Sequence, residues 1–87
     1  YLGIGVADPT DGTSGALVQQ IEPGGPAESA GLQQGDVVTA VDGDAVVSAS
    51  DLVAAVRSRQ PGSEVALTVD RQGEEVTLQA TLGESGQ

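Results

Sequence analysis

The acidic side chains are the residues of this 87-residue chain that suggest chemistry most directly. The stretch DPTDG, which begins at Asp8, starts like a calcium-binding loop. An EF-hand loop needs oxygen ligands at alternate positions and a Glu at the twelfth, where this chain has Gln19. Asp42 and Asp44 could form an acid–base pair, but they flank a tight turn with nothing beside them in sequence to raise a pKa. We therefore expect turns at both places and no metal site.

The residue types that are missing limit catalysis more strongly. The chain has no His and no Cys, and its three basic residues are all Arg, so it has no Lys either. It therefore cannot form a Ser–His, Cys–His or Ser–Lys pair, which are the common activated nucleophiles. We expect a non-catalytic chain that needs no cofactor.

The charge of the chain excludes other partners. Thirteen acidic residues against three basic ones give a net charge of −10, which repels phosphate backbones and anionic lipid surfaces. No stretch approaches the roughly 18 apolar residues of a membrane span. We expect no nucleic-acid partner and no direct membrane insertion. Because there is no initiator Met, we also expect the chain to be part of a longer protein.

Short strands and turn signals alternate along the first half of the chain. The sequence EPGGPAESAGL predicts a helix of one or two turns, in which Gly25 caps the start, Pro26 takes the first position and Gly31 ends it. Apolar runs predict strands on either side of this helix, at residues 2–7, 16–22 and 36–41.

The second half combines one longer helix with a hairpin. Asp42 and Gly43 predict a tight reversal into a short strand at residues 45–47. Ser48 and Asp51 resemble a capping box that opens a helix to about Arg59. A final hairpin turns at Gln72 and Gly73, and its strands alternate apolar with polar residues. Its apolar positions are Val65, Leu67, Val69, Val76, Leu78, Ala80 and Leu82.

Three segments, taken in order, carry a family resemblance. They are YLGIGV, ALVQQIEPGGPAESAGLQQGDVVTAVDGDAV and SASDLVAAVRSRQPGSEVALTVDRQGEEVTLQATLGE. Together they resemble a PDZ domain of the circularly permuted bacterial kind that is attached to HtrA/Deg-type serine proteases. The resemblance implies an α+β fold, a small, partly open β-barrel or sandwich of five to six mostly antiparallel strands with one long and one short helix. It covers residues 1–83 and leaves 84–87 as a tail or linker.

The resemblance also implies a binding site for a peptide C-terminus. Backbone amides of the opening loop would bind the carboxylate, and we expect Gly3 there because a Cβ would intrude on the anion. The peptide would then add as an antiparallel strand. The implied carboxylate-binding residues are Tyr1, Leu2, Gly3 and Ile4. The implied strand and pocket residues are Gly5, Val6, Ala49, Val53 and Val56.

The function implied is a non-catalytic module that binds hydrophobic C-terminal or extended segments for an attached, trypsin-like protease domain in the periplasm or cell envelope. Many eukaryotic PDZ domains have a His at the helix start, where residues 48–51 of this chain have none, so we expect apolar C-termini as ligands. Two alternatives stay open at this point. The domain could dock and gate a protease without binding free peptides, or it could belong to an intramembrane metalloprotease or a C-terminal processing protease.

Overall fold

A computed structural model describes residues 2–10 and 12–83, so Tyr1, Asp11 and the predicted tail at 84–87 lie outside the described residues. Neither described helix is long and apolar enough to cross a membrane. Six strands and two helices follow one another along the chain. They are β1 (Ile4–Ala7), β2 (Ala16–Ile21), α1 (Pro26–Ala30), β3 (Val37–Val41), β4 (Asp44–Ala45), α2 (Ala49–Arg57), β5 (Glu64–Arg71) and β6 (Glu74–Thr81).

The six strands form one open antiparallel sheet, which agrees with the predicted α+β fold of five to six mostly antiparallel strands and two helices. Its order is β1-β2-β3-β5-β6, with the short β4 beside β3. The β5–β6 hairpin has the predicted register, with Leu67 opposite Leu78 and Val69 opposite Val76. Strand β1 is therefore an edge strand, with its outer side open.

Both helices form where the sequence predicts them. Gly25 caps α1, and Gly31 ends it with a φ of 93°. The Ser48 hydroxyl accepts a hydrogen bond from the Asp51 N–H at the start of α2. Helix α2 ends at Arg57 and not at Arg59, because the Arg59 N–H bonds to the Val56 carbonyl only three residues back.

The prediction of a strand at residues 45–47 was partly wrong, since β4 contains only Asp44 and Ala45. The peptide groups of Val47 have other partners. Its carbonyl accepts the Gly15 N–H, and its N–H donates to the Asp51 carboxylate at the start of α2. The chain therefore leaves the sheet at Val46, whose side chain is buried.

Among the described residues, the hydrophobic core between the sheet and the helices is aliphatic. Leu52 is the α2 residue most deeply buried in it, with 1% of its surface exposed. Burial of a Leu or Val side chain contributes about 1.5–3 kcal/mol, so packing of these residues holds the long helix against the sheet. The sheet side of this core includes Val18, Val38, Val41, Val65, Leu67 and Val69.

One ion pair, with a buried carboxylate and a partly exposed guanidinium, joins the segment after α1 to the end of β5. The Asp36 side chain, 3% exposed, accepts hydrogen bonds from Arg71 Nε at 2.9 Å and Nη2 at 2.7 Å. It also accepts the Gln33 N–H, while Arg71 Nη2 donates to the Gly31 carbonyl. Burial acts to raise the pKa of Asp36, but the Arg71 and Gln33 hydrogen bonds and the Arg71 charge outweigh it and hold this pKa below its usual 3.8.

We expect Asp36→Asn to lower the free energy of unfolding by about 1.5–3 kcal/mol at pH 7, because it replaces with a neutral amide the buried carboxylate that accepts the Arg71 and Gln33 hydrogen bonds. Since the pKa of Asp36 is lowered by folding, the ion pair stabilises the fold above pH 3.8, and this contribution is lost as the pH falls through the folded-state value. Urea unfolding at pH 7 and pH 3, followed by circular dichroism, should show the difference from wild type shrinking at pH 3.

The matched control is Asp42→Asn. Asp42 also pairs with an arginine, Arg59, but at an exposed site, and Asn tolerates its positive φ of 52°. Its stability should change little. Equal losses in the two variants would contradict a special role for the buried pair.

Candidate functional site

The loop of residues 2–4, here the 2–4 loop, enters the edge strand with its carbonyl groups turned into the domain. The Ala27 N–H donates to the Leu2 carbonyl at 2.9 Å, and the Glu22 N–H donates to the Gly3 carbonyl at 2.8 Å. The buried Leu2 side chain anchors the same loop. Within residues 2–10 and 12–83, no acceptor takes the Gly3 N–H. The carbonyl oxygens of Leu2 and Gly3 therefore point away from the side of the loop on which the Gly3 N–H lies, called here the donor side.

The backbone angle of Gly3 is one reason for a glycine in this loop, and the predicted clash of a Cβ with a bound carboxylate stays a prediction. A Cβ at Gly3 would lie 3.5–3.6 Å from Pro26, Glu22 and Gly25, which is ordinary van der Waals contact. Its φ of +79°, however, lies in the left-handed region that strains other residues. Among the protein's own atoms, the backbone angle explains this glycine, because a Cβ there would meet no clash. Gly5 has no such angle, and its Cβ would only contact Gln20 at 3.5 Å.

The outer edge of β1 presents unpaired backbone groups. The Glu22 N–H bonds across to the Gly3 carbonyl, so the pair Ile4–Ile21 between them is of the non-hydrogen-bonded type. The N–H and C=O of Ile4 therefore point away from β2, and those of Val6 follow by alternation. A register shift in the pairing, at the Gly5–Val6 step, leaves β1 itself regular, because the extra residue is on β2.

An apolar groove separates β1 from α2. Its deeper part encloses about 290 Å³ beside the 2–4 loop and is lined by Leu2, Gly3, Ile4, Val6, Leu52, Val53, Val56 and Arg57. A shallower part continues toward the start of α2 and is lined by Val6, Ala49, Ser50, Val53, Ala54 and Arg57. The two parts share Val6, Val53 and Arg57. They therefore form one channel along the edge strand, called here the groove.

Helix α2 serves both the core and the groove. Leu52 and Val56, four residues apart, face the core with 1% and 9% of their surfaces exposed. Val53, between them, is 39% exposed. Its exposed surface faces the groove, so this position is available for contact with a ligand.

Hydrogen bonds fix the start of α2 beside the end of β1. The carboxylate of Asp8, which follows β1 directly, accepts the Ala49 N–H at 2.8 Å. At the other end of the helix, Val56 and Arg57 lie beside the 2–4 loop. The helix therefore runs antiparallel to β1, and the Asp8 bond sets the width of the groove at the end away from the loop.

The structure brings most of the predicted site residues together. Leu2, Gly3 and Ile4 form the loop, whereas Tyr1 falls outside the described residues. The predicted pocket positions Val6, Ala49, Val53 and Val56 all line the groove. Gly5 lies on the other side of β1, against Gln20. The binding roles of all these residues stay predictions.

Four groove residues were missed from the sequence, namely Ser50, Leu52, Ala54 and Arg57. Leu52 reaches the groove from its core position, and Arg57 lies four residues after Val53, on the same stripe of α2. That spacing was the signal available for Arg57. It was overlooked because the binding prediction relied on apolar side chains and on a loop without nearby basic residues.

A family model described as a PDZ domain matches residues 1–82. This match covers nearly the whole chain and agrees with the open edge strand and the groove beside it. The chain therefore belongs to the PDZ domain family.

Several curated relatives that contain a similar segment are serine proteases. Serine protease PepD of Mycobacterium tuberculosis is 47% identical over 87 residues, which is 99% of this chain and 18% of PepD. A probable periplasmic serine endoprotease, DegP-like, of Halomonas elongata is 42% identical over 85% of this chain and 16% of its own length. Serine endoprotease DegS of Escherichia coli is 35% identical over 85% of this chain and 21% of DegS. The chain thus spans about a fifth or less of these proteins.

Solved structures that resemble this chain include an HtrA-type protease and an HtrA PDZ domain. The HtrA-type protease AlgW with a decapeptide superimposes with a TM-score of 0.89 and 28% identity over 95% of this chain and 28% of AlgW. The HtrA3 PDZ domain bound to a phage-derived ligand, FGRWV, gives a TM-score of 0.81 and 27% identity over 93% of this chain and 82% of that domain. These matches confirm the resemblance to HtrA-type PDZ domains and the open six-stranded fold.

We expect Gly3→Ala to loosen the 2–4 loop, because an Ala at positive φ costs about 1 kcal/mol. Relief of this strain should weaken the bonds from Ala27 and Glu22 to the loop carbonyls. Amide hydrogen exchange at those two residues should speed up by more than global destabilisation explains. Gly62→Ala is the matched control, with a similar φ of +89° and open space around a Cβ. Unchanged protection at Ala27 in the Gly3 variant would contradict this account.

Proposed function

We propose that this chain is a non-catalytic module that binds the hydrophobic C-terminal or extended segments of other proteins by β-strand addition to β1. Within a longer protein it would supply substrate recognition and regulation to an attached HtrA-like serine endopeptidase. The serine protease names of the relatives support such a partner. The periplasmic name of the DegP-like relative supports a location outside the cytoplasm.

The observation that carries the proposal is the open edge of β1 beside the groove. Ile4 and Val6 each offer an outward N–H and C=O, which are the groups that an added antiparallel strand needs. Side chains alternate along such a strand, so every second ligand residue would face α2. A ligand bound there gains main-chain hydrogen bonds and apolar contacts together.

The 2–4 loop is suited to receive a terminal carboxylate without help from a basic side chain. The carbonyls of Leu2 and Gly3 are already bonded to Ala27 and Glu22, so they do not repel an anion at the donor side. Oriented backbone N–H groups can bind anions through their dipoles alone. The last side chain of the ligand would then enter the deeper part of the groove between Ile4 and Val56.

The peptide ligands of two structural neighbours support peptide binding by this chain. The HtrA3 ligand FGRWV ends in Val, an apolar residue of the size that the deeper part of the groove could hold. AlgW was solved with a decapeptide. An apolar C-terminal residue is therefore the ligand feature that we propose for this chain.

The test is an NMR titration with short peptides that end in Val, Leu, Ile, Phe or Ala, each compared with its C-terminal amide. We expect the free acids to shift the amide signals of residues 2–6 and the amidated forms to shift them far less. Micromolar affinity, about −8 kcal/mol, would be ample for this role. If no peptide moves these signals, β-strand addition is excluded, and a docking or gating role without free peptide would replace it.

We expect Val53→Thr to weaken the binding of a peptide ending in Val by about fivefold, since it replaces an apolar contact worth about 1 kcal/mol with a hydroxyl. The fold should be little affected, because Val53 is already 39% exposed. Isothermal titration calorimetry would measure the affinity. Val47→Thr makes the same change at an exposed position outside the groove, where Val47 is 60% exposed. Equal effects of the two variants would contradict the assignment of the groove.

A further inference from the structure

Strand β6 forms the second edge of the sheet. It is the last strand in the sheet order, and no strand of residues 2–10 and 12–83 lies on its outer side. It pairs with β5 along its whole length without a register shift, and it contains no Pro, Lys or Gly. Such a long, regular edge is a template for pairing with another chain. The proposed function uses β1 only, so it leaves β6 without a role.

The outer side of β6 presents unpaired peptide groups at every second residue. Ala66 of β5 bonds through its carbonyl and its N–H to Asp42, which follows β3. The pair Ala66–Gln79 is therefore of the non-hydrogen-bonded type, and the N–H and C=O of Gln79 point away from β5. In the described part of the chain, no backbone group bonds to this outer side. By alternation, the other outward residues are Glu75, Thr77 and Thr81.

A second groove, called here the α1 groove, runs beside this edge. It encloses about 600 Å³ and is lined by Gln79 and Thr81 on the β6 side and by Pro26, Ser29 and Ala30 on the α1 side. It shares no lining residue with the groove between β1 and α2. An extended segment added to β6 would therefore have room beside α1.

One face of β6 would offer apolar contacts to such a segment. Arg71 Nη2 donates to the Gly31 carbonyl at 3.0 Å and so holds the end of α1 beside the hairpin. The side chain of Leu78 lies next to Gly31, so this face of β6 is turned toward α1. Leu78 and Val76 are only partly buried there. Every second side chain of an added strand would cover this surface.

The other face of β6 is polar and acidic. Its side chains, which include Glu75, are exposed, and Glu75 lies opposite Asp70 of β5. The exposed Glu22 adds a further carboxylate to the wall of the α1 groove. A second copy of this chain is a poor occupant, because its net charge of −10 would repel the first. A strand with Lys or Arg opposite Glu75 complements the edge, since cross-strand pairs of opposite charge stabilise a sheet.

We propose that β6 and the α1 groove form a second strand-addition site, which takes an internal, extended segment of another protein. The segment would carry apolar side chains toward α1 and basic side chains on the opposite face, one of them opposite Glu75. This inference goes beyond the proposed function and does not depend on it. It needs neither a free C-terminus nor the 2–4 loop.

The test is an NMR titration at pH 7 with the peptide acetyl-Lys-Val-Lys-Val-Lys-Val-Lys-amide, compared with the same peptide carrying Glu in place of every Lys. The capped ends exclude binding through a terminal carboxylate. We expect the Lys peptide to shift the amide signals of residues 75–81. It should also slow hydrogen exchange at Thr77, Gln79 and Thr81, whose N–H groups it would bond. The Glu peptide should do neither.

Two variants separate the charge contact from the strand pairing. Glu75→Gln should weaken the Lys peptide about two- to fivefold, the range of an exposed ion pair. Its matched control, Asp44→Asn, removes a charge from the exposed β4, which pairs with β3, and should weaken binding less. Thr77→Pro should abolish binding, because it removes an outward N–H without taking a donor from the ladder to β5. The exchange data and Glu75→Gln decide the question even if the Pro variant unfolds.

The inference is overturned if the Lys peptide shifts only residues 2–6, or if exchange at the outward amides is unchanged at saturation. Equal weakening by Glu75→Gln and Asp44→Asn would overturn it as well. So would slower exchange at these amides with rising protein concentration alone, which would assign the edge to a second copy of this chain. None of these outcomes decides whether C-terminal peptides bind to β1, which the titration of free acids against their amides tests separately.

Discussion

Two backbone hydrogen bonds, from Ala27 to Leu2 and from Glu22 to Gly3, are the interactions on which the site depends. They connect the 2–4 loop to the start of α1 and to the end of β2, and they turn both loop carbonyls inward. The left-handed backbone of Gly3 makes this geometry possible without strain. With these bonds in place, the alternation of β1 sends the peptide groups of Ile4 outward. Loop and edge are thus one unit, and a change in either would alter the other.

Two arginines of this acidic chain each form an ion pair with an aspartate. Arg71 neutralises the buried Asp36, and Arg59 neutralises Asp42 while donating to the Ala55 carbonyl near the end of α2. The 2–4 loop has no ionisable side chain between Leu2 and Ile4, so its own contribution to binding an anion would come from peptide dipoles. The two ion pairs therefore lie outside the groove, and Arg57 is the arginine that lines it.

An open edge strand carries a risk of unwanted pairing, and several features of this chain reduce it. Strand β1 is only four residues long, and short edges offer few groups for association. The net charge of −10 makes copies of the chain repel one another. Helix α2, held at its start by Asp8, lies across the groove from this edge. These features together limit self-association at the open edge.

The sequence by itself determined the local structure and the type of domain. Gly25, Pro26 and Gly31 define α1, Ser48 and Asp51 define the start of α2, and alternation defines the β5–β6 hairpin, because each signal acts within a few residues. The tertiary structure alone decided the rest. The end of β4 depends on Gly15, the need for Gly3 depends on bonds from Glu22 and Ala27, and the groove position of Arg57 depends on α2 packing beside β1. These contacts join residues distant in sequence, and no local pattern encodes the distances between them.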